Sequence, residues 1–225
     1  MRNKKYRHIK EQAPTEAVAL PVAVAFIKEH ARPSFDETVE LHVHLGVDPE
    51  KSDQTVRGTV QLPAGPPKQQ RVVVFTSDQS QQQEVKAAGA AEAGGEELVE
   101  SIIQIGGLEA DITIATPQMM PTVARAAKIL GPRGLMPNPK TGTVSDQPSQ
   151  TLQQLLGGKV AFKMDQQANI HLAIGKASWA PDKIIANVNT CLQAVREARP
   201  AAVKGEFIRS VSLKTTMSPA VRLAR

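Results

Sequence analysis

Pro63-Ala-Gly-Pro-Pro67 divides this chain and decides how its fold is read. Three prolines in five residues cannot lie inside a helix or a central strand, and the residue pattern differs on the two sides. Before the break, residues 38–47 alternate Val39, Leu41, Val43, Leu45 and Val47 with Glu40, His42, His44 and Gly46. That period of two predicts a half-buried strand. Residues 56–62 predict a second strand across a polar loop, and the two together predict a long hairpin with one face on a core. After the break, Arg71-Val-Val-Val-Phe-Thr76 is a continuous apolar run, as in a strand buried on both faces. Helices are expected at 81–88, 95–103 and 119–130, and a second buried strand at 111–115. Strands alternating with helices in this way predict a small parallel α/β unit.

The unit closes with Gly131-Pro-Arg-Gly-Leu-Met-Pro-Asn-Pro-Lys-Thr-Gly-Thr-Val144, whose three glycines and three prolines predict a stiff loop carrying Arg133 and Lys140. A short helix at 152–156 and then Gly157-Gly158 give a second break. Strands are expected beyond it at 160–164, 170–174 and 207–213, with a helix at 182–198. A short basic helix or arm at 2–12 and a helix at 21–31 complete the N-terminal side. Neither end makes a comfortable domain alone. The fold class is therefore a two-domain α+β and α/β chain: residues 1–65 and 158–225 form one discontinuous domain, and 68–156 is inserted into it.

Bulk properties narrow the function. Hydrophobic residues make up 41% of the 225, but aromatics only 3%, so the cores must be aliphatic. The net charge is +5 and the pI about 9.4. Residues 156–225 hold 11 basic and 4 acidic side chains, whereas 1–155 carry no excess of positive charge. A basic surface at one end of the chain favours a polyanionic partner. Cys191 is the only cysteine, which excludes an intrachain disulfide and a cysteine-based zinc site and fits a reducing compartment. No apolar run approaches eighteen residues and no signal peptide is visible, so a cytoplasmic chain with no membrane partner is expected.

Candidate chemistry is sparse. A nucleotide site needs a glycine turn directly after the first strand of the α/β unit. The chain has Ser-Asp-Gln-Ser-Gln-Gln-Gln there instead. That argues against a nucleotide-dependent enzyme, which is the competing reading. His42 and His44 share one strand face but lack a third ligand of obvious spacing, so no metal and no cofactor is assigned. Cys191 falls on the apolar side of a helix and reads as core. Two polar motifs fit RNA better: Ser52-Asp-Gln-Thr-Val-Arg-Gly58, and Lys214-Thr-Thr-Met-Ser-Pro219 at a strand end. Small hydroxyls and backbone groups at a sheet edge can read 2′-hydroxyls and phosphates. Exposed aromatics for single-strand stacking are few, with only Tyr6, Phe35 and Trp179 as candidates.

These motifs also carry a family resemblance. The 131–144 loop, Phe35-Asp-Glu-Thr-Val39, Leu45-Gly-Val-Asp-Pro49 with Ser52–Gly58, Ile170-His-Leu-Ala-Ile-Gly-Lys176, and Lys204-Gly205 through Thr215-Thr-Met217 resemble the bacterial-type large-subunit ribosomal protein L-one family. The similarity covers nearly the whole chain. It implies a discontinuous split β-α-β domain, RRM-like in outline, with an inserted Rossmann-like domain that holds no nucleotide. It implies a non-catalytic protein of the large ribosomal subunit that binds 23S rRNA and forms the mobile stalk beside the E site. The implied further partners are E-site tRNA, whose release it assists, and the protein's own operon mRNA, whose translation it represses. Off the ribosome the chain would be a monomer.

Carried over by position, the implied RNA face is Phe35, Ser52, Asp53, Gln54, Arg57, Gly58, Lys163, His171, Lys176, Thr215, Thr216 and Met217. Arg133 and Lys140 are expected as interdomain or secondary RNA contacts. Two departures stand out. Ser218 replaces a usual glycine, and Lys163-Met-Asp-Gln166 replaces a usual Arg-Asn-Asp-Lys. A non-ribosomal RNA regulator on the same fold is a third reading, separable by co-sedimentation with large subunits.

Overall fold

The computed structural model describes residues 4–31, 34–68 and 70–224, with the backbone alone at Lys4, Lys5, Ser52 and Lys140. Its elements run α1 (Lys4–Gln12), α2 (Leu20–Glu29), β1 (Thr38–Leu45), β2 (Arg57–Gln61), β3 (Val72–Phe75), α3 (Gln79–Ala87), β4 (Glu92–Gly94) and α4 (Glu96–Ile105). They continue with β5 (Ile112–Ala115), α5 (Met120–Ala124), α6 (Ala127–Leu130), α7 (Pro148–Leu156), β6 (Lys159–Lys163), β7 (Asn169–Lys176), α8 (Pro181–Glu197), β8 (Ile208–Thr215) and β9 (Val221–Arg222). Contacts between residues group the chain into two compact units. One joins the segments before Lys68 and after Gly157, and the other is Lys68–Gly157.

In the first unit, β1 buries Val39, Leu41, Val43 and Leu45 completely, as its alternation demands. Its partners differ from the expected hairpin. β1 lies between β7 and β8 in an antiparallel sheet of order β7-β1-β8-β9, and β2 pairs instead with β6 in a separate two-stranded ribbon. The reason lies at the end of β1. There Leu45 N–H donates to Ala168 O at 2.8 Å and Gly46 N–H to Phe207 O at 2.7 Å, which ends the strand against β7 and β8 and sends the chain off the sheet. α8 packs Ile184, Val188, Cys191 and Val195 into this core, and α2 adds Ala23, Val24 and Ile27. Pro21 and Pro181 sit in the first turns of these helices, where a missing N–H costs nothing. β9 is too short to leave a periodic signal and was not expected.

The ribbon leads into the crossing at Pro63–Pro67. Its last register pair is Gln61 with Lys159, and Leu62 N–H then donates to Gly158 O at 2.9 Å. Gly158 has φ of +106°, and a Cβ there would lie 3.0 Å from Leu62 O. Asn187, fully buried in α8, accepts from Ala64 N–H at 3.0 Å and donates to Ile174 O at 2.7 Å. One side chain thus ties the crossing segment to the sheet.

In the second unit, β3 is the centre of a parallel sheet of order β4-β3-β5, and all four of its residues are buried. Val73 and Phe75 face a cluster with Val99, Ile102 and Val123, while Val72 and Val74 face one with Val85, Leu152 and Leu155. The helix expected at 119–130 is broken into α5 and α6. Arg125 and Ala126 donate to the carbonyls three residues back, a 3₁₀ tightening, while Arg125 pairs with Glu96 at 2.7 Å. The 131–144 loop docks on β5: Thr113 Oγ1 donates to Leu135 O, Ala115 N–H to Thr143 O at 3.0 Å, and Ser145 N–H to Ala115 O at 3.1 Å. Leu135 is buried in the core. No described helix is long and apolar enough to cross a membrane.

Candidate nucleic-acid interface

Three strand ends meet at one end of the four-stranded sheet. β1 begins there and β7 and β8 finish there, with Thr38 opposite Lys176 and Val39 opposite Thr215. Lys176 Nζ donates to Thr38 Oγ1 at 2.9 Å and to Asp36 O at 3.3 Å. Thr216 Oγ1 accepts from Thr38 N–H at 3.2 Å, and Met217 N–H donates to Glu37 Oε2 at 3.0 Å. Ser178 donates through both N–H and Oγ to the Asp36 carboxylate. These bonds bring together three of the expected residues, Lys176, Thr216 and Met217, and Phe35 adjoins Asp36 in the chain. Phe35 is 48% exposed and Met217 40%, two apolar groups left in solvent near a cation. A base or ribose could pack on them while Lys176 meets a phosphate.

Thr215 is placed otherwise. Its side chain is fully buried and its hydroxyl has no partner, so it braces the strand end and cannot touch a ligand. This corrects the expectation that all three residues of the Thr-Thr-Met run offer side chains. Ser218 also turns inward. Its Oγ accepts from Thr215 N–H at 2.9 Å and donates to Pro219 O at 3.2 Å. The extra hydroxymethyl therefore fits inside the turn rather than on the surface.

A second group lies on the ribbon. Arg57 and Lys163 are direct register partners across β2 and β6, and both are exposed. Neither is in an ion pair among the described residues. Like charges directly opposite each other in a ladder are destabilising, and an anion between them removes that cost. Gly58 next to Arg57 has a packing reason to be glycine: a Cβ there would lie 2.8 Å from the Phe162 ring. Asp53 is exposed in the 3₁₀ turn Ser52–Gln54, and Gln54 Oε1 accepts from Asp48 N–H at 2.8 Å to close that loop. The Ser52 side chain lies outside the described residues.

His171 lies on the open face of the sheet, about 13 Å along β1 from Thr38 at the usual strand rise. It is the register partner of His42, and their Nδ1 atoms are 2.5 Å apart. The outer nitrogens face carboxylates: His42 Nε2 is 3.2 Å from Glu40 Oε2, and His171 Nε2 is 3.2 Å from Asp165 Oδ2. Lys214 Nζ pairs with the same Glu40 oxygen at 3.1 Å. For one Nδ1 to donate to the other, the two rings cannot both be neutral with their hydrogen on Nε2. Burial holds His42 below the usual histidine range, reinforced by His171 and Lys214 and opposed by Glu40. The N–H of Asn169, with that of Gln167 and with His171, holds Asp165 below the usual carboxylate range. His44 bonds to Asn169 instead, so the two histidines of β1 do not act as a pair. Among the described residues no group of three or more His, Cys, Asp or Glu could hold a metal. The Cys191 thiol is buried and pushed up to about 12, an inert core group.

Arg133 belongs to the second unit. Its guanidinium covers Gly107 and Nη1 donates weakly to Leu108 O at 3.4 Å. The Lys140 side chain lies outside the described residues.

A family model described as Ribosomal protein L1p/L10e family matches residues 27–219, which include every residue of both groups. The chain belongs to this family. Among its relatives is the large ribosomal subunit protein uL1 of Salinispora tropica, 49% identical over 199 residues, covering 88% of this chain and 83% of that protein. The uL1 of Fervidobacterium nodosum is 41% identical over 222 residues, 98% and 94% of the two chains, and that of Thermobifida fusca is 44% identical over 221 residues, 98% and 93%. These three relatives are proteins of the large ribosomal subunit, not enzymes.

Sequence reasoning missed the residues that hold the site rather than face outward: Glu37, Glu40, Asp165 and Asn187. Two left a usable signal. Glu37 continues the inward positions of β1, and Asn187 sits in the stripe of Ile184, Val188 and Cys191.

Proposed function

We propose that this chain is a non-catalytic constituent of the large ribosomal subunit that binds 23S rRNA to form the mobile stalk beside the E site. There it assists release of deacylated tRNA. On its own operon mRNA it meets the same kind of junction and represses translation. It works on the cytoplasmic ribosome and is a monomer away from it. The first unit serves as the discontinuous split β-α-β RNA-binding domain, and the second as an inserted Rossmann-like domain without nucleotide. Arg133 and Lys140 serve as its secondary contacts.

The observation that carries the reading is the exposed Arg57–Lys163 pair, which no described carboxylate neutralises. Phosphates seat there and at Lys176, while Phe35, Thr216 and Met217 supply shape contacts to bases and 2′-hydroxyls. The test is titration of the full chain with a 23S stalk-junction fragment and with a plain duplex of equal length, over a range of salt. Preference for the junction together with a steep salt dependence is expected. Equal affinity for both RNAs would sink the reading. Co-sedimentation with large subunits, toeprinting on the operon leader and E-site tRNA dissociation rates test the three roles separately.

A further inference from the structure

We propose that Glu37 is a positioning residue that aims Met217 at RNA by holding its backbone, without touching the ligand; this rests on the RNA-binding reading above. The period of two in β1 carries Glu37 onto the inner face with Val39, Leu41 and Val43, and its side chain is completely buried. A carboxylate in an aliphatic interior is costly unless its oxygens accept hydrogen bonds. Oε2 accepts from Met217 N–H at 3.0 Å. The last ladder partner on β8 is Thr215, opposite Val39, so the Met217 N–H lies beyond the ladder and the Glu37 carboxylate supplies its acceptor. The Glu37 carbonyl accepts from Ala177 N–H at 2.8 Å, so the same residue also fixes the chain just after β7.

Ser218 closes the turn from the other side through Thr215 N–H and Pro219 O. With its backbone held at both ends, Met217 is left with one free part, a side chain that is 40% exposed on the same end of the sheet as Phe35. A contact residue whose backbone is already ordered loses less freedom on binding. Glu37 acts through geometry: the acceptor must reach the Met217 N–H, and side-chain length decides that.

The test uses the full chain with a 23S stalk-junction fragment. Glu37→Gln keeps the length and an acceptor oxygen and removes the charge; Glu37→Asp keeps the charge and falls short by one methylene. Glu37→Gln should keep slow exchange of the Met217 amide by NMR and keep wild-type RNA affinity. Glu37→Asp should speed that exchange and weaken RNA binding about tenfold. In a Met217→Ala background Glu37→Asp should add no further loss. An impaired Gln variant beside an intact Asp variant overturns the proposal, as does an Asp effect that persists undiminished in the Met217→Ala background. Met217→Ala that binds RNA as wild type refutes the RNA reading instead, and Met217 amide exchange alone then decides whether Glu37 holds that backbone.

Discussion

Replacing Lys163 or Arg57 by Gln should stabilise the free protein and weaken its binding to RNA. The two residues are direct register partners on β2 and β6, outside any ion pair among the described residues. Their flexible side chains can splay to about 7 Å between charges. At that distance, Coulomb repulsion in water is about 0.6 kcal/mol. With a Debye length near 8 Å at physiological salt it falls to about 0.2 kcal/mol. Each single variant should therefore unfold at slightly higher urea concentration in low salt, with the gain shrinking as salt is added. Gln keeps most of the aliphatic stem, so lost packing does not mask the effect. Against RNA the sign reverses. Each lost phosphate contact should lower the slope of log K against log salt by about 1 and weaken binding to junction and duplex alike. The double variant should gain no more stability than either single one, because one repulsion is removed only once. If Lys163→Gln destabilised the free protein in low salt, or left the salt slope unchanged, the pair would be an ordinary solvated ribbon and the anion seat would be wrong.

Thr215→Val should cost nothing and stabilise by up to about 1 kcal/mol, because it removes a buried hydroxyl without a partner; urea denaturation checks this, and RNA affinity should stay within twofold. Asn187→Leu leaves Ala64 N–H and Ile174 O unpaired and should cost about 2–4 kcal/mol by urea denaturation, with faster exchange at the Ala64 amide. His42 is held below its unfolded value, so the unfolded chain binds its proton first as pH falls. Its contribution to stability is complete above about pH 6.5 and declines below that, through the window down to its folded value. The groups facing it are Glu40, His171 and Lys214, with Asp165 beyond His171. His42→Gln should flatten the stability profile between pH 7 and 5, and an unchanged slope would assign the effect to other groups.

What the chain reveals without coordinates follows from the range of the forces involved. Burial is local, so the alternation of β1 and the apolar run of β3 mark their buried faces correctly. Pairing is not local. β1 and β2 are neighbours in sequence and look like a hairpin, yet the partners of β1 lie more than a hundred residues on, and no property of 38–62 records them. β4 and β9 are three and two residues long, below the length at which any period can be counted. The break between α5 and α6 has no glycine or proline to announce it.

The site divides along the same line. The outward residues proposed for it, Phe35, Arg57, Lys163, Lys176 and Met217, lie in contiguous stretches, where motif resemblance can name them. The residues that hold it work across the chain: Glu37 binds a backbone amide 180 residues away, and Asn187 one 123 residues away. Yet both carry a mark that periodicity alone exposes, a polar side chain at a position where the pattern calls for an apolar one. Unpaired, such a group costs about 1–3 kcal/mol. A partner is therefore required, and an unmatched polar residue on a buried face predicts that a distant segment ends there. Here the prediction would have led from the start of β1 to the Met217 turn and from α8 to the Pro63–Pro67 crossing, two irregular segments with no periodicity of their own.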